Sequence, residues 1–424
     1  MTVDPGLLQW AVLGVIALTL LTIVIRPRGI GEAWAAAGGG LAMLALGAVR
    51  RDDILAIGHE TADILLFLLG MMLLTWLVEQ AGVFDRLADT VALLARGSTR
   101  ILYVLVFVLA ALVTALLSLD VTVLILTPIV YALVTRRRLD ALPFMFACTF
   151  VANTGSLVLP ISNLTNLLVY SQLRLDFAAF AGVMWLPNLV AVVVNLIVFL
   201  LLFRDRLPLR FEGEADPLPA IDWWFISAAA ALGVTLVALL AAGLARRPLA
   251  WPALVGGGIL LLIALLGHRV RLPEAVSAIS WPLFVFVIGM FLVVRGFEHV
   301  WLTQVHLALP RESGPALLLA VGGNAVGSNI VNNVPMTLLS MPFITRAEPH
   351  LREVLAYGTL VGANIGPTLT TYGSLATMLW LALIRKRGLD VTTTEYLRVA
   401  LITTPLVLAA TTLTLWLVLQ WGRP

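Results

Sequence analysis

Residues 101–135 contain a single charged side chain, Asp120, in an otherwise apolar and hydroxyl-bearing run. As one continuous helix this run would extend about 53 Å, whereas the hydrocarbon of a bilayer is about 30 Å thick. A chain with such a run either crosses twice there or enters and turns back. The same conflict arises at 141–173, 313–345 and 354–384, which carry no charge at all. Each of these has polar or helix-breaking residues near its middle: NTGSLVLPISNLTN, SNIVNNVPMT and NIGPTLTTYGS respectively. Runs 101–135 and 313–345 read as re-entrant hairpins, and runs 141–173 and 354–384 as helices broken halfway. Pro160 and Pro367 lie in the breaks, where a missing N–H keeps the backbone from closing into regular helix.

The whole chain supports a membrane reading. Of its 424 residues, 60% are hydrophobic and 12% charged, with a mean hydropathy of +1.00, whereas soluble domains carry about 25% charge. The net charge is +3, and the basic residues lie in loops rather than along one stripe, which argues against a nucleic-acid partner. The one cysteine, Cys148, supports neither a disulfide framework nor a multi-thiolate metal site and reads as a packed small apolar residue. His59, His268, His299, His306 and His350 fall at expected span ends or loops, so no metal site is expected, and no cofactor is implied. GGG at 38–40 and at 256–258 lies inside spans and reads as close helix packing rather than a phosphate loop.

Simple spans are expected at 7–25, 33–49, 61–78, 177–203, 223–245, 248–267, 275–294 and 399–422, the first of them uncleaved. The features recur in order. Gly70 and Met71 return as Gly289 and Met290, and Glu79 as Glu298 at the same spacing; the Ala-Asn pair at 152–153 returns at 363–364; SNLTNLL parallels GSLATML. The polar linker 204–222 separates a first repeat, 1–203, from a second, 223–424. With two hairpins each half has five spans, and an odd number turns the second half upside down. The fold class is thus an all-α polytopic membrane protein with two inverted repeats, about ten transmembrane helices and two hairpins, with discontinuous helices meeting at the midplane. Placing Arg136, Arg137 and Arg138 inside also puts Arg96, Arg100, Arg204, Arg206 and Arg210 inside, which satisfies the positive-inside rule. Twelve full spans would satisfy it equally. Glu79 and Glu298 read as interfacial residues at span ends, and Arg295 as a snorkelling side chain.

The candidate site residues cluster at the tips and breaks. Asp120 would sit near the midplane beside Ser118. The first broken helix offers Asn153, Thr154, Ser156, Ser162, Asn163, Thr165 and Asn166. The second hairpin offers Asn329, Asn332 and Asn333, and the second broken helix Asn364, Thr368, Thr370, Thr371, Tyr372 and Ser374. Hydroxyls, amides and freed backbone groups donate and accept, which suits a small neutral polyhydroxyl solute or a bare cation. No arginine lies in the four runs, so a dicarboxylate would lack its bidentate partner. Desolvation favours the neutral form of a carboxyl group, which qualifies a lone buried acid to take up and release a proton.

The strings SLDVTVLILTPIV, FVANTGSLVLPISNLTNLLV, GSNIVNNVPMTLLS and GANIGPTLTTYGSLATMLW resemble the arsenite/antimonite efflux permeases, the ArsB family of the ion transporter superfamily. The likeness runs nearly the full length, with one departure at Ser118-Leu119-Asp120, where an Asn beside the Asp is expected. The resemblance implies a secondary exporter of arsenite and antimonite in the bacterial inner membrane, exchanging the neutral trihydroxides As(OH)3 and Sb(OH)3 for protons, with Asp120 as proton carrier. It also implies a soluble arsenite-stimulated ATPase as an optional partner. The competing readings are a sodium/proton antiporter or an anion carrier of the same superfamily; an intramembrane enzyme lacks its nucleophile–base pair.

Overall fold

A computed structural model describes residues 5–211, 221–301 and 310–421; the middle of the expected linker (212–220) and His306 lie outside the described residues. Among the described residues the chain is helical, with no β-strand beyond one isolated bridge, Ser98 to Arg210. Nine helices there are long and apolar enough to cross a membrane.

The first half runs α1 (Pro5–Ile25), α2 (Glu32–Ala45), α3 (Arg51–Gln80), α4 (Val83–Leu94), α5 (Thr99–Leu116), α6 (Leu119–Arg136), α7 (Ala141–Thr154), α8 (Leu164–Leu173) and α9 (Phe177–Leu202). The second runs α10 (Trp223–Leu244), α11 (Ala250–Leu266), α12 (Leu272–Ala278), α13 (Trp281–Val300), α14 (Ser313–Val331), α15 (Asn333–Arg346), α16 (Pro349–Ile365), α17 (Leu375–Lys386) and α18 (Thr393–Trp421). Packing between the halves is reciprocal: α2 lies along α13, α3 along α11, and α9 along α18. The glycines explain how closely they lie. A Cβ at Gly70 would overlap the backbone of Ala253 and Leu254 in α11, and one at Gly289 that of Ala36 and Ala37 in α2. From the other side, a Cβ at Gly257 would lie 2.8 Å from the Gly70 carbonyl oxygen, and one at Gly40 3.2 Å from that of Gly289. Both GGG runs are therefore packing surfaces that let backbones touch where lipid offers no hydrophobic drive between helices.

Each of the four long runs is interrupted. Run 101–135 breaks at Leu117 and Ser118, whose φ of 175° is extended; run 313–345 breaks at Asn332, with φ 76° in the left-handed region. The turns are thus short, one or two residues each. The tips rest on the breaks of the neighbouring helices. Ser162 Oγ donates to the Ala115 carbonyl at 2.6 Å, and the Asn333 N–H donates to the Gly373 carbonyl at 3.1 Å. The arms of the first hairpin are joined by a Thr114–Thr122 hydroxyl pair at 2.7 Å. Below the tip, the Thr127 hydroxyl accompanies a π-helical turn (Thr122–Leu126) by donating to the Thr122 carbonyl.

Several simple spans differ from expectation. α3 is 30 residues long and begins ten residues before the apolar run, because the Asp53 carboxylate accepts the Arg50 N–H at 2.7 Å and so starts the helix in a polar segment. The expected span 275–294 is two helices, α12 and α13, parted where Pro282 occupies the first turn of α13. α4, a short amphipathic helix, falls between expected spans because hydropathy alone does not mark it.

Candidate functional site

The two broken helices cross, and Asn364 at the end of α16 is the crossing point. Its Oδ1 accepts from Asn163 Nδ2 at 2.8 Å and from the Thr165 hydroxyl at 2.6 Å. Its Nδ2 donates to Asn166 Oδ1 at 2.7 Å. These four residues are at most 3% exposed. The network extends into the first break, where Asn166 Nδ2 donates to the carbonyls of Ser156 and Leu159, and the Ser156 hydroxyl to that of Asn153. Asn163 also caps α8 by accepting the Thr165 N–H. An interrupted helix leaves buried carbonyls and N–H groups that must find partners in a medium without water. The side-chain amides fill that need.

The second break is satisfied in the same manner. Asn329 Nδ2 donates to the Gly366 carbonyl at 2.7 Å while its Oδ1 accepts from the Thr370 hydroxyl. Asn332 reaches the Tyr372 carbonyl at 3.4 Å. The Thr368 hydroxyl donates to the Ile365 carbonyl and pairs with Thr404 of α18, and the Thr368 carbonyl accepts from Tyr396. Thr154 is engaged outward, accepting from Asn195 of α9 at 3.0 Å. Asn153 Oδ1, Asn333 Oδ1 and Ser374 Oγ are buried and, among the described residues, find no hydrogen-bond partner. Thr371 is half-buried and Tyr372 is 44% exposed.

A cavity of about 220 Å³ lies against this crossing. It runs along the C-terminal part of α3, from Phe67 to Glu79, and is closed by the first hairpin tip, the start of α8 and residues 278 and 280. Of the residues singled out from sequence, Ser118, Asp120 and Asn163 line it. Asp120 stands in the first turn of α6, where the helix N-terminus favours negative charge. Among the described residues no hydrogen bond to its carboxylate is formed, so the group faces the cavity. Thr75 is a polar lining that the sequence did not single out, and Glu79, expected as an interfacial residue at a span end, lines the cavity as well, since a residue at a span end carries no signal for a cavity formed by a second element. Among the described residues no arginine, lysine or histidine lines the cavity. Arg295 does not snorkel alone; it pairs with Glu60 at 2.8 Å and Glu298 at 3.2 Å, on α3 and α13.

The citrate transporter family model matches residues 17–362. The arsenical pump membrane protein of Escherichia coli strain K12 is 30% identical over 420 residues, covering 94% of this chain and 96% of that protein. The chain belongs to the ArsB family of arsenical pump membrane proteins. A more distant relative is the putative arsenical pump membrane protein of Bacillus subtilis, 24% identical over 434 residues, with 95% and 98% of the two chains covered. Among solved structures, the YdaH transporter of Alcanivorax borkumensis matches with a TM-score of 0.59 at 14% identity, covering 88% of each chain. At that identity the likeness shows the fold alone, that of an all-α polytopic membrane protein. This ArsB family member is a multi-pass membrane transporter and not an enzyme.

Proposed function

We propose that this protein exports arsenite and antimonite across the inner membrane, exchanging the neutral trihydroxide for protons by alternating access. The names of its relatives point to an arsenical solute. The observation that carries the chemistry is the lining of the Asp120 cavity: one hairpin-tip carboxylate with Ser118, Thr75 and Asn163, and no cationic side chain. A trihydroxide offers three O–H donors and three acceptor oxygens at no net charge. An amide accepts and donates to such a solute, and a carboxylate accepts from it, without the desolvation cost of an ion. A citrate-like polyanion would meet two carboxylates and no cation there, which disfavours the anion-carrier reading that the family model's description suggests. The two halves, 1–203 and 223–424, each contribute a broken helix to the crossing, and alternating access would expose it first beside one hairpin tip, then beside the other. The buried, unpartnered Asn333 Oδ1 and Ser374 Oγ belong to the second side, closed in this conformation.

Asp120 releases its proton on the arginine-rich face as arsenite enters and is reprotonated on the opposite face. In everted vesicles energised by respiration, arsenite uptake is expected to collapse on adding a protonophore. Asp120→Asn should lower proton-driven uptake by roughly a hundredfold at equal protein levels. Full uptake by the variant would remove Asp120 as carrier, and a requirement for sodium would favour the sodium/proton reading.

A further inference from the structure

We infer that Glu79 is the proton relay between Asp120 and the aqueous phase on the arginine-rich face, a role resting on the reading of Asp120 as carrier. Both carboxylates line the same 220 Å³ cavity, Asp120 on the hairpin tip and Glu79 one residue before the end of α3. The cavity wall between them is mostly apolar, with Met71, Met72, Trp76, Leu124 and Leu164 among its linings. A proton leaving Asp120 through such a wall has few groups to receive it. Glu79 is half-buried and, among the described residues, makes no hydrogen bond or ion pair, so its oxygens are available.

The opposite half of the molecule sharpens the assignment. Glu298 occupies the equivalent place on α13, and there Arg295 neutralises it at 3.2 Å while also holding Glu60 at 2.8 Å and Asp53 at 4.0 Å. The residue equivalent to Arg295 in the first half is Trp76, which bears no charge. Two carboxylates related by the internal repeat are thus treated differently, one locked in an ion cluster and one left free at a cavity. The groups facing Glu79 do not lock it. Asp85 of α4 is the charge that acts on it, the surroundings of Asp85 include Asp89 and Arg136, Arg86 is stacked over Phe225, and residues 278 and 280 bring no charge. The step is a proton transfer: Asp120 loses its proton to the Glu79 carboxylate through cavity water, and Glu79 passes it to bulk water.

The test is arsenite uptake by everted vesicles containing Glu79→Gln, Glu79→Asp or Asp120→Asn protein, measured against medium pH and against the concentration of a small buffer such as imidazole. For Glu79→Gln the maximal rate is expected to fall about tenfold with half-saturating arsenite unchanged. Imidazole should restore part of the rate, and Glu79→Asp should retain most of it. A Glu79→Gln rate equal to wild type while Asp120→Asn is inactive would overturn the relay and leave the carrier standing. A loss that no buffer restores, accompanied by weaker arsenite affinity, would make Glu79 a structural or binding residue and also overturn it. Wild-type uptake in both Glu79→Gln and Asp120→Asn would remove the carrier reading itself.

Discussion

At the scale of single residues, most of the amides and hydroxyls picked out from sequence serve the backbone. Asn166, Asn329 and Asn332 each donate to carbonyls that an interrupted helix has released. Such groups are as necessary to a transport site as ligands are, because lipid offers no substitute partner. Asn364 has the greatest leverage, since it joins the two broken helices through three hydrogen bonds. Asn364→Ala would leave Asn163, Thr165 and Asn166 short of partners in a buried setting and is expected to destabilise the protein by about 1–3 kcal/mol. Thermal unfolding in detergent should show this as a lowered Tm, together with loss of arsenite uptake. A variant with unchanged Tm would mean that the crossing is held by packing alone. The residues that face the cavity, Ser118, Asp120 and Asn163, form a much smaller set than the predicted list. Which members of a polar cluster turn toward backbone and which toward a cavity is decided by a neighbouring element, and no single residue type announces it.

At the scale of elements, close helix approach and helix interruption do the positioning. Gly70 and Gly289 are equivalent places in the two halves, each pressed against backbone of the opposite half. A methyl group at either site has nowhere to go except by separating the helices. Gly70→Ala and Gly289→Ala are each expected to cost about 1–3 kcal/mol through overpacking, and similarly to one another. Gly258→Ala, where nothing lies within 4 Å of the added carbon, should stay within about 0.5 kcal/mol of wild type. Denaturation of the purified proteins in one detergent compares all three. Equal stabilities would refute the reciprocal contact of α3 with α11 and α2 with α13. The four interrupted runs were legible from sequence because charge-free length and a polar centre conflict with a single crossing. Their boundaries were less so. The tips are one or two residues long, and α3 extends well past its apolar run, since capping by Asp53 needs no hydrophobic signal.

At the scale of the molecule, the two halves pack reciprocally and are unequal in state. The Asp120 cavity opens along α3 toward Glu79, while the polar groups of the second tip, Asn332 and Asn333, are 5% and 3% exposed. This conformation is therefore read as open to the arginine-rich face. A cysteine placed at Ser118 should react with a membrane-impermeant thiol reagent in everted vesicles and stay unreactive in intact cells, whereas one at Asn333 should be protected from both sides. The native Cys148 is fully buried and gives no background. Reaction of the Ser118→Cys protein only in intact cells would reverse the assigned orientation. The sequence by itself determined that the chain lives in a bilayer and that four of its apolar runs are interrupted, because run length and charge are properties of the chain that lipid reads directly. Only the tertiary structure decided that the broken helices cross at Asn364, that Glu79 shares a cavity with Asp120 while Glu298 is bound by Arg295, and that one side is open. Those outcomes depend on which helix packs on which, and contacts between segments far apart in the chain leave no mark on either segment alone.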